Sequence, residues 1–296
     1  MRSRDVVGRA LAAALGFVLL VILIRRVGLS ILVGTVRDVG WGFPAILLLY
    51  CAVIGVTLQS WRELLHAHGD APVLPLLRIK LIADAFNALT PLGTVGGEPY
   101  RVAASSRWYG RRVALQSVIV DRLLDQAAAA ALMIVAGLSA LSLPSATTSL
   151  GTAGAGVPAS SHWFVKLREL ASREQRTVLL RAFACRLTGR LLSVVEIAII
   201  LASLGFGFRW RVALVAVAVN IGVNGLFSWI PGALGASEAA ITAAVAWAGV
   251  GAHVGLTVAL IRRLRGLCWA AVGLVVLFTA DRESGLRIQP QDTTQP

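Results

Sequence analysis

Charge is scarce in this chain and lysine scarcer still: charged residues make up 15% of its 296 positions, and Lys80 and Lys166 are its only lysines. A soluble domain carries about a quarter of its residues as Asp, Glu, Lys or Arg, so that class is excluded. Cysteine is limited to Cys51, Cys185 and Cys268, each set among apolar residues and far from the others. Neither a disulfide framework nor a paired metal-ligand spacing is present, and the three read as inert buried thiols. His66 and His68 are two apart in a Gly/Pro-containing stretch, a spacing that does not share a helix face. No nucleotide-binding loop, Asp-rich diphosphate run or His/Cys nucleophile pair occurs. The expectation is therefore no metal, no cofactor and no enzymatic activity.

What is abundant is apolar sequence. Hydrophobic residues reach 57% and the mean hydropathy is +0.76, values that describe an integral membrane protein. The 28 basic and 15 acidic residues leave a net charge of +13. On a soluble chain that surplus would suggest nucleic acid, but here the arginines punctuate apolar runs and form no patch, so nucleic acid is excluded as a partner. Arginine stays ionised and forks onto phosphate or carboxylate, which makes lipid headgroups or a charged substrate the natural partners.

A bilayer-spanning helix needs about 20 apolar residues, so the uncharged runs map the fold. Ala10 to Ile24, flanked by Arg2, Arg4, Arg9, Arg25 and Arg26, reads as an uncleaved first span. Val39 to Trp61 reads as a second, with Trp41 and Trp61 as belt residues at its two ends. Leu74 to Ala104 is interrupted by charge, proline and glycine, and Ala114 to Leu143 resumes a helical pattern. Residues 145–181 read as a linker with an interfacial amphipathic segment that joins halves 1–144 and 182–280 of a single transmembrane domain. Beyond it come Leu187 to Leu204, a broken run from Val212 to Ser237, the uncharged run Ala239 to Ile261, and a last run from Gly266 to Ala280 set off by Arg262, Arg263 and Arg265. Residues 281–296 form a polar tail, read as disordered. The pattern predicts an all-α polytopic bundle of about six to eight spans, the higher number counting the two broken segments as re-entrant helices.

Those broken segments match. Pro91 to Glu98 and Pro231 to Glu238 share one Pro-to-Glu interval, contain Gly96 and Gly97 in the first copy and Gly235 in the second, and have asparagine upstream, Asn87 in one and Asn220 and Asn224 in the other. Proline ends a helix, glycine lets backbones approach, and the following helix start offers unpaired amides to an anion. Paired Gly/Pro-interrupted segments in two halves point to a transporter-like site between repeats. Glu98 and Arg101 share a helix face, and could pair together or meet a phosphate headgroup. Asp121, Arg122 and Asp125 form a second cluster, read as an ion network with nearby arginines, while Arg186 and Arg190, one turn apart, read as interfacial anchors. Glu196 and Asp84 lie inside apolar runs, where charge is functional by default. Glu238 precedes a long apolar run with no sequence-local cation, so it is expected to titrate more freely than Glu98 unless a distant arginine such as Arg186, Arg190 or Arg262 covers it.

The stretch from Asn87 through Pro91, Gly96, Gly97, Glu98 and Arg101 to Asp121 and Arg122 resembles the flippase-like membrane family that includes the transmembrane region of lysylphosphatidylglycerol synthases. The segment from Pro231 through Gly235 to Glu238 resembles that family's second signature, and Gly40, Trp41 and Trp61 resemble its hopanoid-associated branch. The resemblance implies a helical bundle with inward-dipping segments, placed multi-pass in a cell membrane such as the bacterial inner membrane. It implies handling of a membrane lipid or a lipid-linked substrate between leaflets, with these residues as substrate-binding candidates. The synthases' aminoacyl-transferase activity is not carried over, because only the polar residues 281–296 follow Ala280. Two other classes compete: a noncatalytic subunit that partners lipid-biosynthesis enzymes, and a membrane-embedded lipid-modifying enzyme.

Overall fold

A computed structural model describes residues 34, 37, 39–66, 68–70, 72–89, 96–140, 173–226 and 235–279. Among them are seven α-helices and no strand: α1 (Gly42–His66), α2 (Val73–Leu89), α3 (Glu98–Ala140), α4 (Arg173–Ser203), α5 (Trp210–Leu226), α6 (Ala236–Trp247) and α7 (Ala252–Thr279). The first span expected at residues 10–24, both prolines of the matched segments, residues 145–172 and the tail lie outside the described residues.

The same run of elements occurs twice. A long helix (α1, 25 residues; α4, 31) is followed by one of 17 residues (α2 and α5). A short helix comes next, then another long one. In the second half these are α6, with 12 residues, and α7, with 28. In the first half both lie within α3, which is broken at Gly110, where φ is 74° and ψ is 156°. That backbone is open to glycine and strained for other residues. Residues 98–109 thus correspond to α6, and residues 111–140 to α7. The equivalent break after α6 is made by Gly249, with φ 77°, and the Val250 N–H bonds the Val245 carbonyl at 3.2 Å, a Schellman-type stop.

Contacts fix the directions of these helices. Gly42 packs on Ser203 and Gly189 on Thr57, so α1 and α4 are antiparallel. Asp121 meets Arg186 and Asp125 meets Arg190, so the second part of α3 and α4 run parallel. Within the first hairpin, Gly97 lies on the Ala83 backbone, and the Tyr109 hydroxyl donates to the Asp70 carbonyl at 2.6 Å. The hairpin of α2 and residues 98–109 therefore begins and ends at one end of the bundle. In the second half, Ser237 on α6 donates to Asn220 on α5 at 2.7 Å, and Gly255 on α7 packs on Thr242 of α6. Because α4 runs parallel to the second part of α3, the hairpin of α5 and α6 opens at the opposite end.

Three expectations are corrected here. The uncharged run Ala239 to Ile261 is not one span: α6 is about 18 Å long at 1.5 Å per residue, too short for a hydrocarbon core of about 30 Å. Arg262, Arg263 and Arg265 do not separate two spans but sit in the middle of the continuous α7. The interhalf linker ends earlier than residue 181, since α4 begins at Arg173.

The core is mostly apolar, but charged side chains are buried within it while large apolar side chains lie on the surface. Asp121 is fully buried and Glu196 is 2% exposed, whereas Leu48 is 71% and Leu138 66% exposed. Val275 and Phe278 on α7 also face outward, as does Cys51, contrary to the expectation of a buried thiol. Water favours the reverse arrangement; a hydrocarbon surrounding favours this one. The helix α1 is long and apolar enough to cross a membrane.

Candidate functional site

Two charged networks occupy the interior, one for each hairpin. The first is centred on Asp121, in the second part of α3. Its carboxylate accepts from the Arg101 Nη2 at 2.8 Å, the Arg186 Nε at 2.8 Å and the Ser60 hydroxyl at 3.1 Å, and Arg186 Nη2 contacts it as well. One carboxylate thereby ties together α1, α4 and the two parts of α3. Arg101 gives its other terminal nitrogen to Glu98 at 3.2 Å, and Glu98 also receives Arg122 at 2.9 Å. One turn below Asp121, Asp125 takes Arg190 at 2.7 Å, with Arg186 at 3.7 Å. Four guanidinium groups thus face three carboxylates.

The supports of this network are aromatic and backbone groups. The Arg101 guanidinium lies 4.3 Å from the centre of the Trp61 ring, whose indole N–H donates to the Ser117 hydroxyl at 3.2 Å. Trp61 is fully buried, which corrects its reading as an interfacial belt residue. A cation over an indole face in a dry site contributes about 2 kcal/mol. The Gly97 N–H donates to the Asn87 side-chain carbonyl at 2.7 Å, so Asn87 holds the turn into α3 while Gly97 sits against α2.

The second network joins α4, α6 and α7. Glu238 in the first turn of α6 accepts the Gly235 N–H at 2.9 Å through one oxygen and Arg263 through the other. Glu196 on α4 takes Arg265, and Arg262 approaches it at 3.6 Å. Arg265 is also stacked 3.9 Å from the centre of the Tyr50 ring. Lys80 and Asp84 add an ion pair of 3.0 Å on α2.

The structure brings Asn87, Gly97, Glu98, Arg101, Asp121 and Arg122 into one site, with Gly96 in the adjoining turn. Gly235 and Glu238 belong to the second network. Glu238, expected to lack a sequence-local cation, is covered by a distant arginine, and that partner is Arg263 instead of Arg186, Arg190 or Arg262. Arg186 and Arg190 are internal partners of Asp121 and Asp125, not interfacial anchors. Sequence reasoning missed Ser60, Trp61 and Ser117 as supports, and Arg263 and Arg265 as partners. The signal for the α3–α4 rungs was present in complementary spacing: two acids one turn apart, and two arginines one turn apart. Among the described residues, no group of three His, Cys, Asp or Glu side chains could hold a metal ion.

A family model described as the lysylphosphatidylglycerol synthase TM region matches residues 9–161. No curated protein and no solved structure matches the chain.

Proposed function

The chain belongs to the lysylphosphatidylglycerol synthase TM region family, and from that premise we propose that it is a multi-pass membrane protein that moves a lipid or lipid-linked molecule between leaflets. The observation that carries this reading is the pairing of two helical hairpins that open at opposite ends of the bundle, each leading to a buried ion network. In a bilayer such hairpins are re-entrant, and a pair of opposed orientation forms an inverted repeat with polar groups near the midplane. The exposed leucines and valines supply the lipid-facing surface, and the buried arginines supply a path on which a headgroup can be desolvated in steps. The carboxylates Glu98, Asp121 and Asp125 are held by guanidinium groups, which suits a polar scaffold better than proton transfer to a substrate.

Reconstitution tests it. Purified protein in sealed vesicles carrying a fluorescent phospholipid should speed access of a membrane-impermeant quencher to inner-leaflet label above the rate in protein-free vesicles. Equal rates with several phospholipid headgroups would remove the transport reading.

A further inference from the structure

The second network lines a cavity. It has a volume of about 250 Å³ and is lined by Asn220 of α5, Ser237 and Glu238 of α6, and Arg262, Arg263 and Arg265 of α7. Three guanidinium groups meet one carboxylate on this wall, because Glu196 lies outside the lining.

That carboxylate is committed to Arg263, and Arg265 is committed to Glu196. Arg262 is different. Among the described residues its ion-pair contact is from Nε to the Glu196 carboxylate at 3.6 Å, beyond hydrogen-bonding distance, and the same Glu196 oxygen is already taken by Arg265. The Nε atoms of Arg263 and Arg265 are also buried and unpartnered. Three buried guanidinium groups share two carboxylates here, and the cost of burying the surplus charge falls when an anion supplies oxygens to the bare donors.

Comparing the halves sharpens this contrast. Arg122 pairs with Glu98 and Arg263 pairs with Glu238. The residue before Arg122 is Asp121, which neutralises Arg101 and Arg186; the residue before Arg263 is Arg262. At the same place in the repeat, the first half supplies its own anion and the second supplies a cation.

We propose that this cavity is a binding site for a single phosphate-type anion, with Arg262 as its principal ligand and Ser237 and Arg265 at its sides. The class follows from size and chemistry. A water's share of liquid volume is about 30 Å³, so the cavity has room for a phosphate and a few attached atoms. Drug-sized ligands occupy about 300–1,000 Å³, so the acyl chains of a lipid stay outside. Planar guanidinium groups match tetrahedral oxyanions through paired N–H donors. Ser237 stands in the first turn of α6, the end of a helix that favours an anion. The proposal rests on the lipid-handling reading, of which it specifies the headgroup chemistry, although a free phosphate would satisfy the same donors.

The test uses the full chain in uncharged detergent, titrated with inorganic phosphate, dioctanoylphosphatidylglycerol and, as a phosphate-free control, dioctanoylglycerol. Binding is read by the shift in thermal unfolding. Both phosphate probes should bind saturably if the anion alone suffices, and only the phospholipid if the headgroup must arrive on a lipid; either result supports the site. Arg262→Gln should weaken binding at least tenfold, and Arg262→Lys by less. Without ligand, Arg262→Gln should unfold at nearly the wild-type temperature, since Glu196 keeps Arg265 as its closer partner, so loss of binding is distinguishable from loss of fold. Neither phosphate probe binding more tightly than dioctanoylglycerol would overturn the proposal, as would wild-type affinity in Arg262→Gln. Vesicle transport without dependence on Arg262 would sink the site and leave the transport reading standing. Phosphate binding in a protein that moves no lipid would do the reverse.

Discussion

Arg263 reaches back across the turn between α6 and α7 to take Glu238, as Arg122 reaches back across the Gly110 kink to take Glu98. Each pair staples the start of a short helix to the middle of the long one that follows. In both cases the staple crosses a glycine break whose backbone would otherwise allow the two segments to splay.

The staple predicts a non-additive mutant cycle. Both side chains of the Glu238–Arg263 pair are largely buried, so removing either partner leaves a charge without compensation. Glu238→Gln and Arg263→Gln should each destabilise the protein by about 3 kcal/mol. The double variant should recover more than half of either loss, because it leaves no orphan charge. Thermal unfolding in detergent measures this; losses that add in the double variant would show that the two residues do not act as a pair.

Asp121 should be the most sensitive acid in the protein. It is fully buried and neutralises two arginines that come from separate elements. Asp121→Asn should cost about 3–5 kcal/mol, and Asp125→Asn less, since Arg190 is partly exposed. The check is the unfolding midpoint of each variant at matched expression. Equal losses would mean that burial does not set the cost.

These relationships also show what was legible beforehand. The sequence rules for ion pairs look three or four residues along a helix, and they find Glu98 with Arg101. They cannot find Glu238 with Arg263, because that partner is brought round by a turn hidden inside an uncharged run. The run Ala239 to Ile261 contains no charge or proline, so hydropathy alone reads it as one span; only Gly249 and Gly251, both at positive φ, mark the reversal. Trp61 was misplaced for a related reason. An indole next to Arg62 at the end of an apolar run suits a membrane interface, but its face is covered by an arginine distant in sequence. The matched Pro-to-Glu segments were legible because both copies needed the same local chemistry. Their consequence, two hairpins of opposed direction, required the helix pairings.

Close backbone approach makes a separate prediction about glycine. A Cβ at Gly97 would lie 2.0 Å from the Ala83 carbonyl oxygen, and one at Gly273 would lie 2.3 Å from that of Leu81, both on α2. Backbone cannot yield as a side-chain tip can, so Gly97→Ala and Gly273→Ala should each push α2 away and cost about 3 kcal/mol. Gly137 on α3 has nothing within 4 Å of the equivalent position, and Gly137→Ala should stabilise by up to about 1 kcal/mol through helix propensity. Unfolding temperatures of the three variants decide it. A Gly97→Ala protein as stable as wild type would show that α2 and α3 do not touch there.

The opposed hairpins make a prediction about sidedness. His68 precedes α2 near the point where Tyr109 bonds Asp70, and Phe208 precedes α5. Since α1 and α4 run antiparallel and each leads into a hairpin, His68 and Phe208 lie at opposite ends of the bundle. Both are exposed, so a cysteine at either position should react without disturbing packing. In a background with Cys51, Cys185 and Cys268 replaced by serine, His68→Cys and Phe208→Cys should be labelled from opposite faces of sealed, uniformly oriented vesicles by an impermeant maleimide. The α1–α4 packing allows no other result for helices that cross a bilayer, because residues at one end of an antiparallel pair belong to the end of one helix and the start of the other. Labelling of both positions from a single face would therefore refute the inverted arrangement of the hairpins, and with it the two-sided access that the proposed lipid movement requires.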